Sequence, residues 1–207
     1  ILHAVVGGLD LVMDEIAPDA PARQFAKAAL NAATRGSRLT HHLMAYAGQL
    51  MLWPQAIELE GFLTGIEEQL SRTLGPDIAI HVRVKGAPSV FADPGELQTA
   101  LRNLAINAAQ AMPAGGTLLI DARAERVPGL PRVTITVTDT GSGMDEATLH
   151  HAAEPFFTTK GQSCTGLGLS MVQGFVAQSR GALRITSMPG RGTTVEIRLP
   201  PAAADVL

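Results

Sequence analysis

Three short runs of this sequence hold residue types able to grip a phosphorylated nucleotide. Asp139-Thr-Gly141-Ser-Gly143 joins a carboxylate to two spaced glycines, and Gly166-Leu-Gly168 opens a helical pattern. Asn103 and Asn107 lie four residues apart, which puts both amides on one face of a helix. The Asn107 carbonyl oxygen is a hard donor suited to Mg²⁺, which takes few protein ligands and fills its shell with phosphates and water. The same residue could instead cap a neighbouring loop. Asp139 could accept a hydrogen bond from the exocyclic amine of adenine, or bond its own backbone as a turn aspartate. Glycine lets a backbone approach a ligand closely. Gly166 and Gly168 stand where exposed N–H groups and the helix dipole favour phosphate; a plain loop-to-helix junction is the alternative. Lys160 supplies a charge near the phosphates or is a solvated loop lysine, and Thr158 and Thr159 offer hydroxyls. Gly161 to Cys164 are small residues with no apolar periodicity.

The elements that must position these groups are readable from periodicity. Leu97, Leu101, Leu104, Ala105, Ala108 and Ala111 line one side of a helix over 94–112, with Asp93 as N-cap and Pro94 at the first helical position. Residues 117–124 and 132–138 read as a strand hairpin whose second arm delivers Asp139. A helix follows over 167–179, then strands 182–187 and 193–199 around Pro189-Gly190-Arg191-Gly192. Upstream, Leu59, Phe62, Leu63, Ile66, Leu70 and Leu74 mark a helix, and Ile78, Ile80, Val82 and Val84 alternate as a half-buried strand. A short strand is expected over 89–92. The hairpin-like pairs predict an α+β unit, a sandwich with a mixed, largely antiparallel sheet covered by helices on one face.

The first fifty residues are different. Leu2, Val5, Leu9, Val12 and Ile16 repeat at three and four, Pro18 and Pro21 interrupt, and Phe25, Ala29, Ala32, Gly36, Leu39, Leu43, Tyr46 and Leu50 continue the repeat. This predicts an antiparallel helical hairpin. Its stripe is too long to bury in two helices, so a homodimer forming a four-helix bundle is expected. Trp53-Pro54 marks the boundary, giving units 1–52 and 55–200 and an alanine-rich tail, 201–207, with no expected structure.

The chain has 207 residues and a formal net charge of −3, without the basic face that nucleic acid requires. No apolar run reaches membrane-span length, so no membrane contact is expected. The start has no basic n-region. It does begin inside a helical pattern, so residues are expected upstream of Ile1. A lone Cys164 excludes an internal disulfide and fits a reducing, cytoplasmic location.

Asn103-Leu-Ala-Ile-Asn107, Asp139-Thr-Gly141-Ser-Gly143, Phe156-Phe-Thr-Thr-Lys160 and Gly166-Leu-Gly168-Leu169 resemble, in order and spacing, the N, first glycine, F and second glycine boxes of sensor histidine kinases. Gly190-Arg-Gly192-Thr-Thr194 resembles the final glycine motif, and Ala92-Asp93-Pro94 the segment before the N box. The likeness spans essentially the whole chain. Arg35-Gly-Ser-Arg38-Leu-Thr40 and the Phe156–Lys160 run are similar to the hybrid and nitrogen-regulator-like subgroup. The resemblance implies a dimerisation and phosphotransfer hairpin followed by a Bergerat-type ATP site. That site would use Asn103, Asn107, Gln110, Asp139, Gly141, Gly143, Met144, Phe156, Thr158, Thr159, Lys160, Thr165, Gly166, Leu167, Gly168, Leu169 and Thr194. Mg²⁺ would sit on Asn107, adenine on Asp139, and a lid would span 155–166. It implies ATP-dependent transfer of the γ-phosphoryl to a histidine, then to an Asp of a response-regulator receiver domain.

Three departures accompany the likeness. Alignment on the first helix places the acceptor histidine about one and a half turns before Ile1; His3, one heptad along, is a substitute candidate, and His41 and His42 fit solvated positions. The lid segment Gly161–Cys164 is about one residue short of the family pattern, with Cys164 where glycine is common. After Asn107 come Ala109 and Gln110, with no basic residue to reach the phosphates. Gyrase-like and chaperone-like relatives carry a general-base Glu one turn before the Mg²⁺-binding Asn. Here the residue is Asn103, whose amide takes no proton at neutral pH, which favours transfer over hydrolysis. A non-catalytic scaffold dimer with a vestigial or regulatory nucleotide domain is the other reading.

Overall fold

The computed structural model describes residues 2–17, 20–46, 51–86, 88–127, 130–159 and 165–202. The chain divides into two compact units, Ile1–Leu50 and Met51–Leu207. In the first, helices α1 (Leu2–Glu15) and α2 (Pro21–Tyr46) pass each other in opposite directions. A Cβ built on Gly36 would lie 3.8 Å from a Leu2 methyl. At the other end, Arg23 Nη1 donates to the carbonyls of Met13, at 2.9 Å, and Ile16. A guanidinium on the last carbonyls of a helix satisfies groups that have no intrahelical partner. Within this one hairpin α1 covers only part of α2. Ala26 is buried and Leu30 and Ala33 are half-buried, whereas Ala29 and Ala32 are exposed and Phe25 is 78% exposed.

The second unit begins with a short strand that periodicity does not reveal, β1 (Gln55–Glu58), and helix α3 (Leu59–Leu74). Glu58 caps α3, its carboxylate accepting from the Glu60 and Gly61 amides at 2.7 and 3.0 Å. Strands β2 (Ile78–Lys85) and β3 (Ser89–Ala92) lead to α4 (Pro94–Ala111). Asp93 caps α4 through Oδ1, which accepts from Glu96 N at 3.1 Å, while Oδ2 takes the Trp53 amide at 2.9 Å. One carboxylate therefore fixes both a helix start and the entry into the unit.

Strands β4 (Gly116–Val127) and β5 (Leu130–Asp139) form the expected antiparallel pair. A further helix, α5 (Glu146–His151), precedes α6 (Gly168–Gln178), and β6 (Ala182–Ser187) and β7 (Thr193–Leu199) close the fold. The main sheet has the order β2-β4-β5-β7-β6, parallel only at β2–β4; β1 and β3 pair separately. This is the mixed, largely antiparallel sheet read from the sequence. Leu118, Ile120, Ala122, Val133, Ile135, Val137, Val195, Ile197 and Leu199 point to one side and join the buried faces of α3, α4 and α6 in a single core. Residues of opposite parity, among them Asp121, Arg123, Thr134, Thr136, Glu196 and Arg198, make the polar outer face. Of the expected tail, residues 203–207 lie outside the described residues, while Pro200–Ala202 are held against β3. Phe91 N donates to Pro200 O, Ala202 N to Ser89 O, and Ala202 is buried.

On the outer face, Arg123 Nε and Nη2 donate to Glu125 Oε1 at 3.0 and 2.8 Å. This guanidinium holds the Glu125 carboxyl below its ordinary 4.5. A depressed carboxylate stabilises the fold above its unfolded value, and the contribution is lost as pH falls through the lower folded value. The pair is partly exposed, so the expected effect is at most about 1 kcal/mol. Thermal melts from about pH 5 to pH 2 should therefore fall slightly more steeply for the parent chain than for Glu125→Gln; parallel curves would show that the pair contributes nothing.

Candidate functional site

Asp139 ends β5 and is 8% exposed. Its Oδ1 accepts from Gly141 N at 2.8 Å, which is the turn bond anticipated for an Asp-Thr-Gly sequence. The same oxygen also accepts from Thr193 N at 3.2 Å, across from the start of β7. The carboxylate thus joins two segments that are distant in sequence.

The loop after Asp139 is wedged between the end of α4 and the β6–β7 turn. Ser142 N donates to Ala111 O at 3.0 Å, and Gly190 N to Ser142 O at 2.7 Å. Met144 N donates to Ser187 Oγ at 2.9 Å. The glycines here make room for the protein's own backbone. A Cβ on Gly141 would lie 2.7 Å from Ala111 O, and one on Gly143, at φ +65°, 2.0 Å from Met188 O.

Gly168 has a different neighbour. A Cβ there would lie 3.4 Å from Asn107 Nδ2 and 3.5 Å from its Oδ1. The first turn of α6 therefore abuts the asparagine face of α4, and Asn103 Nδ2 reaches Met171 Sδ at 3.5 Å. Leu167, the N-cap of α6, supplies no side-chain bond to the helix start. It is 5% exposed, so its side chain belongs to the interior. Leu169 also packs against the core. Gly166, at φ +65°, sits against the backbone of Phe156 and Phe157. Phe156 itself has φ +67° and is 56% exposed, a conformation that bulky residues seldom adopt. Thr158, Thr159, Thr165 and Gln110 are exposed. Lys160 and the segment Gly161–Cys164 lie outside the described residues, as does the side chain of His3, whose backbone is in α1.

Thr194 stands apart. Its hydroxyl meets that of Thr138 at 3.1 Å on the outer face of the sheet, and its neighbour Thr193 makes the bond to Asp139. Sequence reasoning missed Thr193 and Ser187. The signal for Ser187 was parity: it shares a strand face with Leu183 and Ile185, where an apolar residue would be expected. Outside this region, a groove of ≈ 350 Å³ lies between α3 and α4, lined by Gln69, Arg72, Gln98 and Arg102 among others, and none of the residues above borders it.

Residues 92–203 match the family described as histidine kinase-, DNA gyrase B- and HSP90-like ATPases, and the chain belongs to that family. Within it, the second unit is an ATP-binding domain of the histidine-kinase kind. The chain is 33% identical over 216 residues to the sensor kinase CckA of Brucella abortus (strain 2308), covering 97% of this chain and 22% of that protein. It is 32% identical over 185 residues to the sensor histidine kinase ZraS of Salmonella typhi, covering 87% of this chain and 38% of that protein. The chain therefore spans well under half the length of these relatives. Among solved structures, full-length ShkA in complex with AMPPNP superposes with a TM-score of 0.74 at 26% identity, covering 97% of this chain and 43% of that one. The mycobacterial sensor histidine kinase MprB gives a TM-score of 0.62 at 27% identity, covering 72% of this chain and 98% of that one.

Proposed function

We propose that this chain is the catalytic region of an ATP-dependent protein histidine kinase in a two-component pathway. Residues 55–200 bind ATP, and residues 1–52 form the dimerisation and phosphotransfer hairpin. The observation that carries this reading is the asparagine face of α4. Asn107 lies against the start of α6 at Gly168, and position 103 is an amide bonded to Met171 Sδ. An amide there cannot take a proton from water, so the site is suited to passing the γ-phosphoryl group to a side chain.

The donor set fits Mg²⁺. Asn107 offers one hard oxygen beside the helix start, and the described residues hold no group of three or more His, Cys, Asp or Glu that could cage a metal alone. Asn107 would hold the ion, which when bound neutralises phosphate charge. The first turn of α6 presents backbone N–H groups to the phosphates. Asp139, anchored through Oδ1, presents its carboxylate to the adenine amine. Transfer to a neutral imidazole of the hairpin in the full-length protein then rests on positioning and charge neutralisation. A receiver-domain Asp takes the group next. Exposed Val5, Val12 and Phe25 on α1 and α2 support a second hairpin packing alongside to complete a four-helix bundle. No described helix is long and apolar enough to cross a membrane, which suits cytoplasmic work.

Calorimetric titration with ADP and Mg²⁺ tests the reading. One saturable site per chain is expected. Chelating the metal should weaken binding roughly tenfold in the parent chain, and should change nothing in Asn107→Ala. No heat of binding to the parent chain would overturn the proposal.

A further inference from the structure

We infer that Ser187 is a positioning residue for adenine recognition, tying together the two backbone segments that orient Asp139. The inference rests on the nucleotide reading above and adds a residue that touches neither the carboxylate nor the reacting groups. Ser187 is the last residue of β6 and is half-buried. Its hydroxyl makes three contacts: Met144 N at 2.9 Å, Gly192 O at 3.0 Å and Thr193 Oγ1 at 2.9 Å. One donor and two acceptor sites are all that a hydroxyl has. Donation to Gly192 O, with acceptance from Met144 N and the Thr193 hydroxyl, uses each of them once.

Each contact falls on a segment that matters for Asp139. Met144 ends the loop whose Gly141 amide reaches Asp139 Oδ1, and Thr193 supplies the other amide to the same oxygen. Ser187 thus sets the spacing between two amides that donate to Asp139 Oδ1. Gly190 N on Ser142 O adds a backbone tie between the same segments, so the fold does not depend on Ser187 alone. Removing the hydroxyl loosens the carboxylate while leaving the sheet register intact. The loss should fall on the adenine contact and spare the phosphates, which are read at α6.

The test compares ADP with inosine diphosphate, which lacks the exocyclic amine, in the 207-residue chain and its variants, with thermal melts recorded in parallel. Ser187→Ala should bind ADP about tenfold more weakly, the scale of one lost hydrogen bond network. Inosine diphosphate affinity should barely change, so the preference for ADP shrinks by the same factor. Ser187→Thr keeps the hydroxyl and should restore both. Should Ser187→Ala fail to fold, Thr193→Val removes one partner of the hydroxyl but keeps the Thr193 amide, and should lower the ADP preference about threefold. Parent-like ADP preference in a folded Ser187→Ala chain overturns the inference, as does an equal loss for both nucleotides that tracks a lower melting temperature. A parent chain that binds neither nucleotide overturns the nucleotide reading itself, and this inference with it.

Discussion

Replacing Gly192 with alanine is expected to abolish measurable ADP binding, with a loss of about 100-fold or more. Gly192 has φ +77°, and a Cβ there would lie 1.9 Å from Asp139 O and 2.8 Å from Asp139 C. Both are backbone atoms of the sheet, so no rotamer change relieves the contact. The turn must lift away. That breaks the Thr193 N bond to Asp139 and the Ser187 bond to Gly192 O together. The left-handed backbone adds about 1–2 kcal/mol of strain for any residue with a Cβ. Gly190 is the internal control. It has a similar φ, +71°, but nothing lies within 4 Å of its would-be Cβ. Gly190→Ala therefore carries the strain without the collision, and should lose about 1–2 kcal/mol of stability while retaining nucleotide affinity. Parallel calorimetry and melting of the two variants separates the effects. Equal loss of binding in both would mean that turn strain, and not the contact with Asp139, governs the site.

What the sequence reveals here follows the range of the interactions. Asn103 and Asn107 share the face of α4 that meets Gly168, as their spacing predicts, because helical phase is a local property set by four residues. Asp93-Pro94 was read as a helix start for the same reason, and its Oδ1 bond to Glu96 N agrees. Thr193 and Thr194 were not separable. Which of two adjacent threonines faces Asp139 depends on how the turn before β7 sets strand parity, and that turn contains two glycines at positive φ. On α2, alanines at 28, 29, 32 and 33 offer two stripes of nearly equal character, so periodicity does not separate the residues that meet α1 from those left exposed. The partner helix chose Ala26, Leu30 and Ala33, leaving Phe25 outside. Strand β1 and helix α5, of 4 and 6 residues, are too short to show a period. The order of Pro200–Ala202 comes from bonds to Ser89 and Phe91, more than a hundred residues away, which composition cannot signal.

Those same two amides define what the carboxylate must be. Asp139→Asn should weaken ADP binding about 100-fold, because the substitution reverses the chemistry at one end of the side chain while preserving its shape. The Gly141 and Thr193 amides need an acceptor, so they hold the Asn carbonyl oxygen where Asp139 Oδ1 now lies. The remaining position becomes an NH₂ group, a donor facing the donor amine of adenine. Two donors with no acceptor between them, in a site 8% exposed, cannot fall back on water. Loss of the negative charge also removes the charge-assisted part of the two amide bonds. Inosine diphosphate carries a carbonyl oxygen in place of the amine and accepts from the new NH₂. Its affinity for Asp139→Asn should therefore equal or exceed that of ADP, reversing the preference of the parent chain. A variant that loses both nucleotides equally would place the carboxylate in the architecture of the loop alone, and one that keeps full ADP affinity would remove Asp139 from base recognition.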